Sequence, residues 1–563
     1  MNPQVQAAQT SPAEPLNQVP PLTGYNLFLS DKTLLSGLQR ENADWAIESV
    51  AELGEILGRE EAQRWGYEAN ENRPVLHTHD RVGNRRDEVV FHPAWHHLMR
   101  TSIQHQLHSL PFTEKRKGAQ LARAALMMIT AQNEAGHTCP VSMTFSGYAA
   151  LRVEPELVRE WGPKILSAKY DPRFVPAGEK AGVLLGMGMT EKQGGSDVRA
   201  NITRAQRLGN SREYLITGHK WFVSAPMCDA FLILAQTDKG LSCFFLPRWK
   251  PTGGKNSFFI QRLKDKMGNR SNASSEVEFV NAWAHLVGEE GRGVHTIIEM
   301  VNHTRLDCAI AAAGLMRQAL VQAVHHCRHR SAFGHPLTEQ PLMRNVLADL
   351  ALESEAATLM VIRLAASFDR RESDEHERAF ARIATAISKF WLCKQAPVHV
   401  GEALECLGGN GYVEESLMPR LYREAPLYSI WEGSGNVICL DVLRALAKEP
   451  STLDALIDEL RASRGKDQRL DSFLSSVEAD LTRQLKQGLT NGGGEAQLQA
   501  RRLTEDLALA IQGSLLVLHS SSETAEAFIT SRIMRDHGRT FGTLPASVNM
   551  AGLLESVMAE LPR

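Results

Sequence analysis

Two distant tracts hold the residue types that a proton-abstracting site beside a phosphorylated ligand needs. Residues 187–198 read MGMTEKQGGSDV and residues 429–436 read SIWEGSGN. In the first, Gly194 and Gly195 allow positive φ and a close approach of backbone N–H groups. Thr190 and Ser196 add short hydroxyl donors that can reach a pyrophosphate. In the second, Glu432 lies between Trp431 and Gly433, and apolar packing raises a carboxyl pKa and strengthens the group as a base. Taken singly, a Gly-Gly-Ser-Asp turn is more often only a turn, and a Glu in a Gly-rich turn is usually solvated or capping. Their joint presence in one chain gives both more weight.

Other constellations carry less. His92, His96 and His97, and His325 with His329, include the four-residue spacing of paired metal ligands on a helix, but no HExxH pattern accompanies them, and no metal is expected. The eight cysteines form no CxxC pair, which suits reduced thiols in a cytosol. The Lys115-Arg116-Lys117 cluster reads as a solvated face.

At 563 residues the chain should divide into about three or four domains. Its 62 basic and 65 acidic residues nearly balance, so no polyanionic partner is demanded, and any nucleic-acid contact must come from a local patch. The first twenty-two residues are polar and Pro-rich with no apolar signal core, and no apolar run reaches the length of a membrane span. A cytoplasmic protein with a frayed N-terminus and no membrane partner is expected.

The elements that must hold these residues follow from periodicity. Residues 1–180 read as an N-terminal helical domain, with amphipathic repeats such as Leu121-Ala124-Ala125-Met128 and a hairpin-like excursion around Gly83-Asn84. Residues 181–290 hold short aromatic and aliphatic runs separated by Gly, Asp-Lys-Gly and Pro-Thr-Gly-Gly, a small β domain. Residues 291–445 return to helical spacing. Residues 446–563 form an extra helical segment, interrupted at 491–494 and slightly more acidic than basic. A basic DNA face there would require Arg501, Arg502, Arg532, Arg535 and Arg539 to converge, and a helical extension packing on the core is the simpler expectation.

Both tracts resemble the acyl-CoA dehydrogenase family, over roughly Leu184 to Leu443. The match looks closest to the AidB-like, alkylation-response branch, on residues 187–198, the tract LKDKMGNRSNAS from Leu263 to Ser274, and the long C-terminal segment. The resemblance implies an α+β multidomain fold: N-terminal helical domain, central β-barrel-like domain, C-terminal helical bundle and an extra helical segment. It implies FAD as cofactor, held by Met189, Thr190, Gly195 and Ser196, with Phe222 and Ser224 closing over the isoalloxazine. Without the resemblance, Phe222 would read as sheet core. Arg330 with Phe333, in a tract resembling Arg-x-x-Phe-Gly, implies a contact to the pyrophosphate of a flavin in a neighbouring subunit, hence a homotetramer. Gln340 and Gly409 match the other side of that shared site, and Ser434 and Asn436 the adenine half. Glu405 stands where many relatives carry Gln.

The resemblance also makes Glu432 the catalytic base. Some relatives place a base where this chain has Thr304, so the usual competitor is missing. Two functions follow from it. In one, the chain binds double-stranded DNA in the response to alkylation damage, with Arg444 and the C-terminal arginines as contacts and weak turnover. In the other, it is a fully active acyl-CoA dehydrogenase in which Glu432 takes the α-proton of an acyl-CoA or related thioester and FAD takes the β-hydride. A relative that has lost FAD is disfavoured by the near-complete set of flavin positions.

Overall fold

The structure, a computed structural model, describes residues 17–486 and 494–562. Most of the expected frayed N-terminus (residues 1–16) and of the 491–494 break lies outside the described residues. The described chain runs helix, sheet, helix, with a helical C-terminal extension.

From Lys32–Arg40 to Pro155–Ile165 the chain is mostly helical. Asp31 starts the first helix by accepting a hydrogen bond from Leu34 N at 3.0 Å, which satisfies a donor the helix leaves open. Strands Val75–His79 and Arg85–Val90 form an antiparallel hairpin. It docks on the sheet domain: Arg85 donates to Ile260 O at 2.8 Å, and Ile260 N donates to Asp87 Oδ1 at 3.0 Å. The Leu121-Ala124-Ala125-Met128 spacing predicts one apolar face on helix Ala119–Asn133, yet the helix is buried all round. The reason is its position against helices Ile47–Gly58, Gly293–His329 and Pro341–Arg370. Its one charge, Arg123, is neutralised internally by two hydrogen bonds to Asp307 at 2.6 and 2.7 Å.

In the central domain, strand Ala230–Thr237 pairs antiparallel with Gly240–Pro247, which pairs with Ser274–Val287. Ser274–Val287 pairs with Glu213–Ser224, and that strand with Arg204–Arg207. Arg204 returns to Gln236, so the strands close into a barrel around buried Phe231, Phe244 and Phe279. Leu185–Gly188 runs parallel to Ala230–Thr237, and Phe258–Leu263 adds to Ser274–Val287. The ladder of Glu213–Ser224 is irregular between Lys220 and Val223. Such a bulge re-aims side chains, and it leaves Trp221 and Phe222 outside the regular register.

The 37-residue helix Gly293–His329 is the axis of the second helical part. Gly314 permits its crossing with Ala119–Asn133, since a Cβ there would lie 2.6 Å from Met128 O. Helices Pro341–Arg370 and Glu375–Cys406 flank it. In the extension, helix Gly494–His519 packs on these two and on Gly435–Lys448, where Trp391 Nε1 donates to buried Gln512 Oε1 at 2.8 Å. Among the described residues no helix is long and apolar enough to cross a membrane.

Candidate active site

The 187–198 tract leaves strand Leu185–Gly188 and is anchored by a charge pair that sequence reading had not singled out. Glu191 and Lys220 are both fully buried, with Nζ 2.7 Å from Oε1. Glu191 also accepts from Ile202 N at 2.8 Å, Thr203 N at 3.2 Å and Gln193 Nε2 at 2.9 Å, while Asn201 Nδ2 donates to Met189 O at 2.8 Å. Burial pushes the Glu191 carboxyl up, but Lys220 and these donors outweigh it and bring it down to about 2. The pair fixes both ends of the turn and leaves Gly194, Gly195 and Ser196 exposed. Gly194 has φ +130° with open space beyond it, and a Cβ on Gly195 would strike Thr190 Oγ1 at 2.4 Å. The turn is therefore an open backbone cradle lined by hydroxyls, which fits a dinucleotide's phosphates.

The bulged strand closes one side. Trp221 N donates to Thr190 O at 2.9 Å, tying strand to turn. Phe222 is 53% exposed, so it is not sheet core, and Lys264 Nζ lies 4.6 Å from its ring centroid and 3.6 Å from that of Trp221. Ser224 is half-buried, its Oγ 3.4 Å from Ser274 Oγ. An aromatic face beside a hydroxyl suits a flavin ring.

Glu432 lies in the turn between helices Met418–Tyr428 and Gly435–Lys448, at φ +57°, a region sparsely populated by residues with a Cβ. Three groups from other helices hold it there. Thr304 Oγ1 donates to Glu432 Oε2 at 2.7 Å, Arg305 Nε donates to Glu432 O at 3.0 Å, and Lys389 Nζ donates to Gly433 O. Arg305 is itself fixed by Asp441 at 2.8 Å. Burial raises the Glu432 carboxyl above its ordinary value, and Thr304, Arg305 and Lys389 only partly oppose it. The indole N–H of Trp431 and the hydroxyl of Tyr428 are buried without a protein partner, so the turn keeps donors in reserve. Nearby Cys139 is no nucleophile, since burial pushes its thiol up to about 12.

Arg330, Phe333, Gln340 and Gly409 group elsewhere, where the ends of helices Gly293–His329 and Glu375–Cys406 meet through Cys327 Sγ and Cys406 O at 3.7 Å. Arg330 donates to Asn17 O, and Gln340 Nε2 to Ala332 O at 3.0 Å. Phe333, at φ +52° on the tip of hairpin Ser331–Ala332 and His335–Pro336, is 96% exposed. Gly409 and Glu405 are exposed. Among the described residues none of these hydrogen-bonds to the Glu432 turn or to residues 187–198, whereas Ser434 and Asn436 lie just after Glu432 in sequence and are exposed.

The arginines considered for DNA do not all converge. Arg532 is 10% exposed and enclosed by Asp349 and Glu353, so its guanidinium is taken up inside the fold. Arg502 and Arg535 share Asp506, at 3.8 and 2.9 Å, and Arg444, 61% exposed, pairs with Asp441 at 3.2 Å. Arg501 instead reaches Asn436 Oδ1 at 3.5 Å. The histidines also have structural partners. His96 shares a hydrogen bond with Tyr170 OH at 2.9 Å, His97 stacks on Trp65, His92 caps helix Pro93–Gln104, and His325 bonds Pro20 O at 2.8 Å. Among the described residues no group of three His, Cys, Asp or Glu is placed to hold a metal.

Comparison with known proteins agrees with this geometry. Residues 17–172 match the adaptive response protein AidB N-terminal domain, 186–282 the acyl-CoA dehydrogenase middle domain, and 291–447 the acyl-CoA dehydrogenase C-terminal domain. The chain is 46% identical to the putative acyl-CoA dehydrogenase AidB of Escherichia coli, over 91% of this chain and 93% of that protein. The crystal structure of Caenorhabditis elegans ACDH-11 in complex with C11-CoA superposes with a TM-score of 0.82 at 25% identity, covering 95% of this chain and 94% of that one. A glutaryl-CoA dehydrogenase from Mycobacterium smegmatis, solved in complex with FADH2, shares the fold at a TM-score of 0.53 and 20% identity, over 63% of this chain and 86% of that one. With the barrel, the helical bundle and the Glu432 turn in place, the chain belongs to the acyl-CoA dehydrogenase family of FAD-dependent flavoproteins, in its AidB-like branch.

Proposed function

We propose that this protein dehydrogenates an acyl-CoA or related thioester, with Glu432 as the base. The observation that carries this reading is the Glu432 carboxyl itself: raised by burial, fixed through one oxygen by Thr304, and left with Oε1 free of hydrogen-bond partners among the described residues. The α-proton of the thioester passes to Oε1 while its C–H electron pair enters the new Cα–Cβ double bond. When bound, FAD supplies the acceptor for the β-hydrogen and its electron pair. Met189, Thr190, Gly195, Ser196, Phe222, Ser224, Ser434 and Asn436 would hold it from one subunit, and Arg330, Phe333, Gln340 and Gly409 from a neighbour in a homotetramer. The exposed Phe333 tip supports that assembly. The test is an anaerobic titration of the flavoprotein with a panel of acyl-CoAs, in which loss of flavin colour reports the reaction and Glu432→Gln abolishes it.

A second role, binding double-stranded DNA in the response to DNA alkylation, is favoured by the match of residues 17–172 to an adaptive response domain. The arginines available for it are Arg444, Arg501, Arg502, Arg535 and Arg539, all exposed, with Arg532 withdrawn. Duplex DNA would then bind with an affinity that falls steeply as salt rises, and absence of binding at low salt would remove this role. A cytoplasmic setting suits both roles, since all eight thiols are free and buried.

A further inference from the structure

Arg501 stands on helix Gly494–His519, beyond residue 447, where the match to the acyl-CoA dehydrogenase C-terminal domain ends. It nevertheless reaches back to the turn that follows Glu432. Its Nη1 donates to Asn436 Oδ1 at 3.5 Å, and its guanidinium carbon lies 5.6 Å from the Phe390 ring centroid. Lys394, one turn along the helix from Phe390, approaches the same place. A Cβ on Gly435 would sit 3.0 Å from Lys394 Cε and 3.6 Å from Nζ, so the glycine makes the room that the lysine uses. The neighbouring arginines have carboxylates: Arg502 and Arg535 share Asp506, and Arg444 takes Asp441. Among the described residues Arg501 and Lys394 have none. Two cations without a carboxylate partner thus flank the segment that follows Glu432, Lys394 beside Gly435 and Arg501 beside Asn436, an arrangement that favours an anion there.

We propose that Arg501 and Lys394 bind the phosphate on the adenine half of FAD, so that the C-terminal extension completes a cofactor site begun by the dehydrogenase core. The inference rests on reading Ser434 and Asn436 as cofactor positions. Arg501 offers a fork of N–H donors to phosphate oxygens, and Lys394 a compact charge. FAD is favoured over DNA as the anion because Asn436 and Phe390 tie Arg501 to the segment that follows Glu432, apart from the Asp506 group of arginines. Flavin retention then depends on the docking of the extension.

The test uses full-length protein stripped of flavin, titrated with FAD and separately with ADP. Arg501→Gln and Lys394→Gln should each weaken FAD by about tenfold or more, and ADP by a similar factor, with the Tm of the stripped protein unchanged. Arg501→Lys should recover part of the loss. Unchanged FAD affinity in both Gln variants would overturn the proposal, as would loss of duplex DNA binding in Arg501→Gln with FAD affinity intact. Wild-type protein that takes up no FAD would overturn the cofactor positions themselves, a result distinct from a failure confined to Arg501 and Lys394.

Discussion

Thr304 Oγ1 donates to Glu432 Oε2 at 2.7 Å, although 128 residues separate the two in sequence. The hydroxyl belongs to the central helix, at the position where the family resemblance places an alternative base. Here that position has become a support: it orients one carboxylate oxygen and stabilises the charged form that burial disfavours.

Thr304→Val should therefore move the pH dependence of the reaction. In the proposed reaction the reactive form of Glu432 is the carboxylate, so rate is lost as pH falls through its pKa. Burial raises that pKa and the Thr304 hydroxyl lowers it. Without the hydroxyl the acid limb of kcat/KM should shift to higher pH. A limb that stays in place, measured with one acyl-CoA across the pH range, would contradict the assigned role.

The Glu191–Lys220 pair should matter for stability and for flavin binding together. Lys220→Met leaves Glu191 buried without its counter-ion, which costs about 3–5 kcal/mol in comparable cases. Thermal unfolding should show a large drop in Tm and FAD should be retained poorly, whereas Glu191→Gln combined with Lys220→Met should recover part of the Tm. A Lys220→Met protein as stable as wild type would mean that the pair does not anchor the turn.

Phe333→Ser tests the shared site. With the exposed aromatic removed from the hairpin tip, sedimentation should show dissociation to smaller species, and FAD should be lost because Arg330, Gln340 and Gly409 no longer reach a neighbour's flavin. An unchanged assembly that retains its flavin would separate this hairpin from the cofactor.

The parts of this protein legible in the sequence are those set by local pattern. The helix, sheet, helix order follows from periodicity, and the Trp431-Glu432-Gly433 turn from residue type. What escaped depends on packing between distant elements. Glu191 and Lys220 meet because the barrel brings the 187–198 turn over the strand carrying Lys220, a pairing that no spacing along the chain encodes. Arg532 and Arg535 are three residues apart and alike in type, yet one faces Asp349 inside the fold and the other Asp506 at the surface. Helix Ala119–Asn133 shows the same effect: four apolar residues suggest one buried face, and neighbouring helices cover the others as well.

The central claim, that Glu432 is the base of a flavin-dependent acyl-CoA dehydrogenase, is tested most directly by anaerobic addition of acyl-CoA to the wild-type and Glu432→Gln flavoproteins. The account predicts bleaching of the visible flavin spectrum in the wild type and none in Glu432→Gln, with FAD content equal in the two. Bleaching of equal rate and extent in Glu432→Gln, or no bleaching of the wild type by any acyl-CoA in the panel, would contradict it.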